Sequence, residues 1–384
     1  MQRKRVLFLA SWYPSRVNET LGNFVQRHAE VANKIAYITV LYVVSTDEVK
    51  QLEFDRKTIN EVDTLVVYYP KSKSRFPVVS QWIKRRRYLN ACKKGFSFLD
   101  EKFDLVHLNT VFPAGIFAKY LNNKLKVPYV LTVHWTGYLN HTNTYKKLPF
   151  FLKQIHYNIF KNASTVLPVS EHLGNSLIEL GLIKKFTVLP NVVDESIFNL
   201  DCKSSKISHN RPHFLHVSSF NDEHKNISGM LQAFKNLQDR KTPYFLHLIT
   251  EKKVEDVIHF VEEFKLDTNN LKIEGRQSPE GIAKAMKKAD CFVLFSNYET
   301  FSVVLAESWM TGTPAIYSKC GGLTEIIDSH LGNQISKKDV NGLTKALESF
   351  SIENFDRIII AKSAEKFSSK EVSGNILEIY NQLC

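Results

Sequence analysis

Cysteine is scarce in this 384-residue chain, and the five present, Cys92, Cys202, Cys291, Cys320 and Cys384, are odd in number and scattered without metal-ligand spacing. A disulfide framework and a zinc site are both disfavoured on that ground, and a reducing, cytoplasmic compartment is expected. Long apolar runs are also lacking: none approaches the roughly 20 residues that span a bilayer. The short run from Val6 to Ala10 follows Arg3, Lys4 and Arg5 and has no small-residue cleavage site after it, so it reads as a first strand and not as a signal peptide. There is no solenoid period, no low-complexity tract and no Asp-x-Asp pair at a strand end.

What is present is enough apolar sequence for two cores. Hydrophobic residues make up 43% of the chain, and a length of 384 residues exceeds what one core usually holds. Apolar runs at Val6 to Ala10, Ala36 to Val43, Thr64 to Tyr69, Leu105 to Leu108, Tyr129 to Val133 and Thr165 to Val169 alternate with amphipathic stretches. A second series follows at Phe214 to Val217, Phe245 to Ile249, Leu271 to Ile273, Cys291 to Leu294 and Pro314 to Tyr317. This is the βαβ rhythm of parallel sheets covered by helices on both faces. The predicted class is therefore α/β, with two Rossmann-like, doubly wound parallel-sheet domains facing a cleft. Polar, turn-rich sequence from Asp201 to Pro212 puts the boundary there, giving domains over 1–203 and 204–365 and a terminal segment over 366–384.

The net charge of +12 is uneven. Residues 1–200 hold 28 Lys and Arg against 15 Asp and Glu, and residues 201–384 hold 23 against 24. The first domain thus has the charge to meet an anionic partner, a membrane surface or a phosphate-bearing substrate, although a basic surface that merely aids solubility reads the same way. Trp82, Lys84, Arg85, Arg86 and Arg87, with Lys93 and Lys94, form an aromatic and basic segment suited to anionic headgroups or to the acceptor. Three consecutive arginines, however, would encircle a helix and not form one stripe. No nucleic-acid-binding module or stacking platform is recognisable, so no nucleic-acid partner is expected.

The sharpest feature runs from Ser296 to Glu307. Glu299 lies in the loop after the Cys291 strand and Glu307 lies about two turns into the next helix, with Thr300, Phe301, Ser302, Val303 and Val304 between them. Free backbone N–H groups at such a helix start favour a diphosphate, and a nearby carboxylate accepts hydrogen bonds from ribose hydroxyls. Two glutamates at this spacing also occur on ordinary solvated helices.

This stretch resembles the E-x7-E motif of the retaining GT-B glycosyltransferases of family GT4. Gly312-Thr313-Pro314-Ala315 and Gly321-Gly322-Leu323-Thr324-Glu325 follow it in the family's order, and further landmarks at Asp104 to His107, Pro128 to His134, Val169-Ser170, Pro190-Asn191 and Asp194 to Phe198 extend the likeness over nearly the whole chain. The resemblance implies that Glu299 contacts donor-sugar hydroxyls, that Glu307 binds the ribose and that Phe301 to Val304 hold the diphosphate. It implies that Lys225 neutralises the leaving diphosphate, that His134 faces the donor sugar, and that Gly22 and Asn23 stand at the donor-acceptor junction. It further implies that the terminal helix crosses back to the first domain.

Two departures from the family pattern matter. Where relatives carry an arginine before the lysine, this chain has Ser218-Ser219-Phe220. Either Ser219 donates a neutral hydrogen bond, or Lys319 or Arg276 compensates, or catalysis is weaker. Ser302 stands where glycine is common, and Leu21 replaces another glycine beside Gly22. The implied function is transfer of a sugar from a nucleotide-diphosphate donor, UDP being the default, to a glycan or lipid-linked acceptor in cell-surface polysaccharide synthesis. The residue types supply positive charge from Lys225 and a helix terminus, so no metal and no cofactor is expected. The competing readings are a nucleotide-sugar epimerase of the same fold and a catalytically silent nucleotide-sugar-binding scaffold.

Overall fold

The computed structural model describes residues 3–71, 77–140, 142, 144–200, 211–326 and 328–383, with the side chains of 77–82 outside that description. Two compact units result, one of Met1–Val192 with Lys370–Cys384 and one of Val193–Ser369. The boundary expected at 203/204 lies in 201–210, outside the described residues; the division between the units comes earlier, after Val192.

The first unit runs β1 (Arg5–Ala10), α1 (Asn23–Asn33), β2 (Tyr37–Thr46), β3 (Glu53–Ile59), β4 (Val62–Pro70), α2 (Pro77–Leu99), β5 (Leu105–Asn109), α3 (Gly115–Leu125), β6 (Tyr129–Val133), α4 (Thr144–Lys147), α5 (Phe150–Asn162), β7 (Thr165–Pro168) and α6 (Glu171–Glu179). Its seven strands lie in the order β3-β4-β2-β1-β5-β6-β7. Six are parallel, but β3 pairs antiparallel with β4, an edge strand that the apolar runs did not announce. Its charged residues, Glu53, Asp55, Arg56 and Lys57, suit a half-solvated edge, which needs no continuous apolar run.

The second unit runs β8 (His213–Ser218), α7 (Asp222–Lys225), α8 (Ile227–Asp239), β9 (Phe245–Thr250), α9 (Val254–Glu262), β10 (Leu271–Glu274), α10 (Pro279–Lys288), β11 (Cys291–Leu294), α11 (Val303–Met310), β12 (Ala315–Lys319), β13 (Gly332–Ser336), α12 (Val340–Glu348) and α13 (Arg357–Ala364). Its six strands are all parallel, in the order β10-β9-β8-β11-β12-β13. The strand order reverses between β8 and β11, so the crevice beyond their carboxyl ends is the site where open α/β sheets take ligands.

The last helix, α14 (Ser369–Asn381), belongs to the first unit. Val372, Ile376, Ile379 and Tyr380 are buried in the core that α1 makes with Phe8, Val40 and Tyr42. The opposite sheet face, with Leu41, Val67 and Leu108, takes α2 and α3: a Cβ on Gly95 would come within 3.0 Å of Val67 and Leu41, and one on Gly115 within 3.2 Å of Leu108 and of Ile159 on α5. Helices therefore cover both faces of this sheet, which is why β1, β5 and β6 are almost continuously apolar.

Candidate active site

In the second unit three loops converge, each leaving the carboxyl end of a neighbouring strand. The loop after β11 carries Glu299, a residue only 8% exposed. Its Oε1 accepts a hydrogen bond from Lys225 Nζ at 2.6 Å and one from Ser296 Oγ at 2.7 Å. Lys225 closes α7, the turn after β8, which Asn221 caps by accepting from His224 N–H. Asn297 ties the two loops together, its backbone N–H donating to His224 O at 2.8 Å and its side-chain amide to Glu223 O at 2.9 Å. The rings of His224 and Tyr298 add a contact at 4.5 Å.

The third loop follows β12. Gly322 N–H donates to Glu299 O at 3.0 Å, and Ser318 Oγ donates to Ser296 O at 2.6 Å. Gly321 has φ 51°, and a Cβ there would meet Glu299 O at 1.8 Å, so only glycine permits this approach. The ion pair is thus fixed from below by backbone and from the side by serine.

α11 starts immediately beyond. Ser302, its N-cap, takes φ 70° and ψ 86°, a left-handed conformation that glycine adopts with less strain than serine. Its hydroxyl is buried and has no hydrogen-bond partner among the described residues. Phe301 packs edge-on against Phe367 at 5.0 Å, leaving its backbone as the part available to a ligand, and Thr300, Val303 and Val304 are half-buried. Glu307, one turn into α11, is 6% exposed. The N–H groups of this helix start, which have no partner within the helix, are suited to an anion. Glu299, Lys225, Ser302 and Glu307 are therefore brought together by one strand–loop–helix and the turn beside it.

The remaining cations are placed differently. Ser219 is exposed just past β8; Ser218 Oγ is already engaged, with His216 Nε2 at 2.8 Å and the N–H of Phe220 at 3.0 Å. Lys319 is exposed at the end of β12, next to the site. Arg276 follows the edge strand β10, three strands removed from β11.

In the first unit His134 follows β6 and is 6% exposed. Burial, with His28 and His107 nearby, holds its pKa well below the usual histidine range, so the ring is neutral. Among the described residues neither of its nitrogens, nor the side-chain oxygen of Asn191, makes a hydrogen bond of good geometry, although the Asn191 side chain lies close enough to the ring to oppose part of the lowering. Phe24 on α1 lies 4.6 Å from the imidazole, which brings the start of that helix, Gly22 and Asn23, to His134. Gly22 has φ 77° and lies against the Trp12 carbonyl. His107, by contrast, is a satisfied core residue bonded to Tyr380 Oη at 2.7 Å and Thr132 Oγ1 at 2.6 Å. Lys84 to Arg87 are all exposed on α2, confirming that the run is wider than one stripe; the Trp82 side chain lies outside the described residues.

Sequence reasoning gave no role to Ser296, which braces Glu299. Its only signal was its place three residues before the glutamate in the motif.

Models of two families tile the chain: glycosyltransferase family 4 matches residues 39–197, and glycosyl transferases group 1 matches 199–369. The chain belongs to the GT4-type, GT-B glycosyltransferases. An uncharacterised glycosyltransferase of Methanocaldococcus jannaschii is 26% identical over 86% of this chain and 89% of its own. Among solved structures, sucrose-phosphate synthase from Thermosynechococcus elongatus superposes with a TM-score of 0.77 at 17% identity, covering 99% of both chains. Anabaena HepE, solved in complex with UDP, superposes with a TM-score of 0.70 at 16% identity, covering 99% of this chain and 100% of that one. At such identities the structural likeness speaks for the GT-B fold. This glycosyltransferase is accordingly an enzyme, and its two sheets are the two halves of that fold.

Proposed function

We propose that this glycosyltransferase moves a sugar from a UDP-sugar to a glycan or lipid-linked acceptor with retention of anomeric configuration. The observation that carries the reading is the Lys225–Glu299 pair, buried at the start of α11 where three strand ends meet. The diphosphate lies against the amides of residues 301–304, Glu307 takes the ribose hydroxyls and Glu299 the sugar hydroxyls. UDP is the nucleotide in complex with HepE, a neighbour of the same fold.

In the transfer step the bond from the anomeric carbon to the diphosphate oxygen breaks, and its electron pair stays with the leaving group. The acceptor oxygen bonds to that carbon from the same side, and its proton passes to the departing diphosphate. Negative charge grows on the diphosphate, and the Lys225 ammonium and helix amides balance it without a resident metal. Glu299 neutralises Lys225 while no donor is bound, which avoids a lone charge in a half-closed site. Neutral His134 donates or accepts a hydrogen bond at the sugar. The acceptor brings the enzyme to the inner face of the cell membrane as a peripheral protein; among the described residues no helix is long and apolar enough to cross one.

Glu299→Ala tests the assignment. Transfer from the natural donor should fall by about 10²-fold or more, while the free enzyme stays folded with a lower melting temperature because the Lys225 ammonium loses its partner. Wild-type turnover in that variant would remove Glu299 from the site.

A further inference from the structure

The positive charge of the first unit is concentrated on one side of its sheet. Helices α2, α3 and α5, neighbours on the Leu41, Val67 and Leu108 side, hold ten lysines and arginines and no aspartate or glutamate. On the other side, α1 and α14 hold Arg27 and Lys370 against Glu30, Glu371 and Glu378. The whole stretch from Leu105 to Ser170 contains no carboxylate side chain.

Within that acid-free stretch stands an unsupported aromatic pair. Phe150 is 81% exposed and Phe151 55% exposed at the start of α5, beside the exposed Lys146 and Lys147 of α4. The basic run over 84–87 and the phenylalanine pair share the carboxyl edge of the sheet. Arg87 on α2 donates to Lys71 O at 3.2 Å just past the end of β4, and α5 begins the return from the loop that His134 opens after β6.

Lysines and arginines attract any polyanion, but adjacent phenylalanines gain nothing from one in water. A bilayer interface satisfies both, since anionic headgroups take the cations and the acyl boundary takes the rings. We propose that the α2, α3 and α5 layer is the surface on which this enzyme sits on an anionic lipid bilayer, with Phe150 and Phe151 as the inserted wedge. The inference deepens the reading of a lipid-linked acceptor and rests on it. It sets the His134 edge close to the headgroups, where such an acceptor presents its sugar.

Sedimentation of the full chain with vesicles of phosphatidylcholine, with and without about a third of phosphatidylglycerol, tests this. Binding should require the anionic lipid and weaken by about tenfold in Phe150→Ser/Phe151→Ser and again in Arg85→Glu/Arg86→Glu. Both variants should keep the wild-type melting temperature and its rise with UDP. Absence of binding to either vesicle overturns the proposal. So does loss of binding in the arginine variant alone, which marks a site for a soluble polyanion, or a wild-type dimer that the phenylalanine variant dissociates while neither protein binds vesicles. Vesicle binding without any UDP-induced rise overturns the sugar-transfer reading and leaves the docking surface standing.

Discussion

Ser302 combines two local costs. Its backbone occupies the left-handed region at φ 70°, and its hydroxyl is buried without a partner. The strain is worth roughly 1 kcal/mol and the unpaired hydroxyl about as much again, whereas glycine there would give back about 0.4–1 kcal/mol through its freer unfolded chain. Ser302→Gly should therefore stabilise the second unit by about 1 kcal/mol, raising its melting temperature by roughly 2–4 °C. Urea unfolding checks it, and a lower midpoint in the variant would show that the hydroxyl has a bonding partner in solution. At this scale the site was legible where chemistry repeats at fixed spacing. Glu299, Glu307 and Ser302 could be grouped from one contiguous motif, and Lys225 only through the family resemblance. The brace from Ser296 was not, because a serine near a glutamate bonds to it only when the loop folds back, and that depends on Gly321 and Asn297 from elsewhere in the chain.

The site is held by loop-on-loop contacts among elements, and Gly321 is where they are tightest. A methyl group there would overlap Glu299 O at 1.8 Å with φ at 51°. Gly321→Ala should displace the loop after β12, pull the Glu299 backbone with it and cut transfer at least tenfold, because an ångström of misplacement costs about 10²-fold. Gly181→Ala is the matched control: φ is 68° there, but nothing lies within 4 Å of the added carbon. It should cost about 1 kcal/mol of stability and no activity. Equal activity loss in both variants would mean that backbone strain, and not the contact, is what matters. The same element scale separates legible from hidden strands. Inner strands such as β6 and β11 were found with their ends correct because burial on both faces demands an unbroken apolar run. The edge strands β3 and β13 were missed, since an edge needs partners on one side only and tolerates sequences such as Glu53-Phe-Asp-Arg-Lys or Gly332-Asn-Gln.

For the whole molecule, the half-chain charge difference was visible in the sequence, but its confinement to one helical layer is a product of topology. Histidines whose pKa burial lowers are also more numerous in the first unit. In the first unit burial lowers the pKa of His28 and His156 to about 4 and holds His107 and His134 well below the usual range. In the second unit His216 is lowered to about 4 by burial, with the Lys225 ammonium adding to the effect. A histidine lowered from 6.5 to about 4 stays neutral in the folded chain while the unfolded chain takes up a proton. Stability is therefore intact above pH 6.5 and declines between pH 6.5 and 4, by roughly 3 kcal/mol for each such histidine. His172 in the first unit and His247 in the second are lowered by burial as well, and with five such residues against two the first unit should unfold first as pH falls from 7 to 5. Trp309 reports on the second unit, where it is buried and bonded to Leu331 O, whereas Trp12, Trp82 and Trp135 belong to the first. In Trp309→Phe the remaining fluorescence should follow the first unit alone and show a urea midpoint that drops steeply over this range. A midpoint that stays constant from pH 7 to 5 would mean that those imidazoles are protonated, or reached by water, in the folded state.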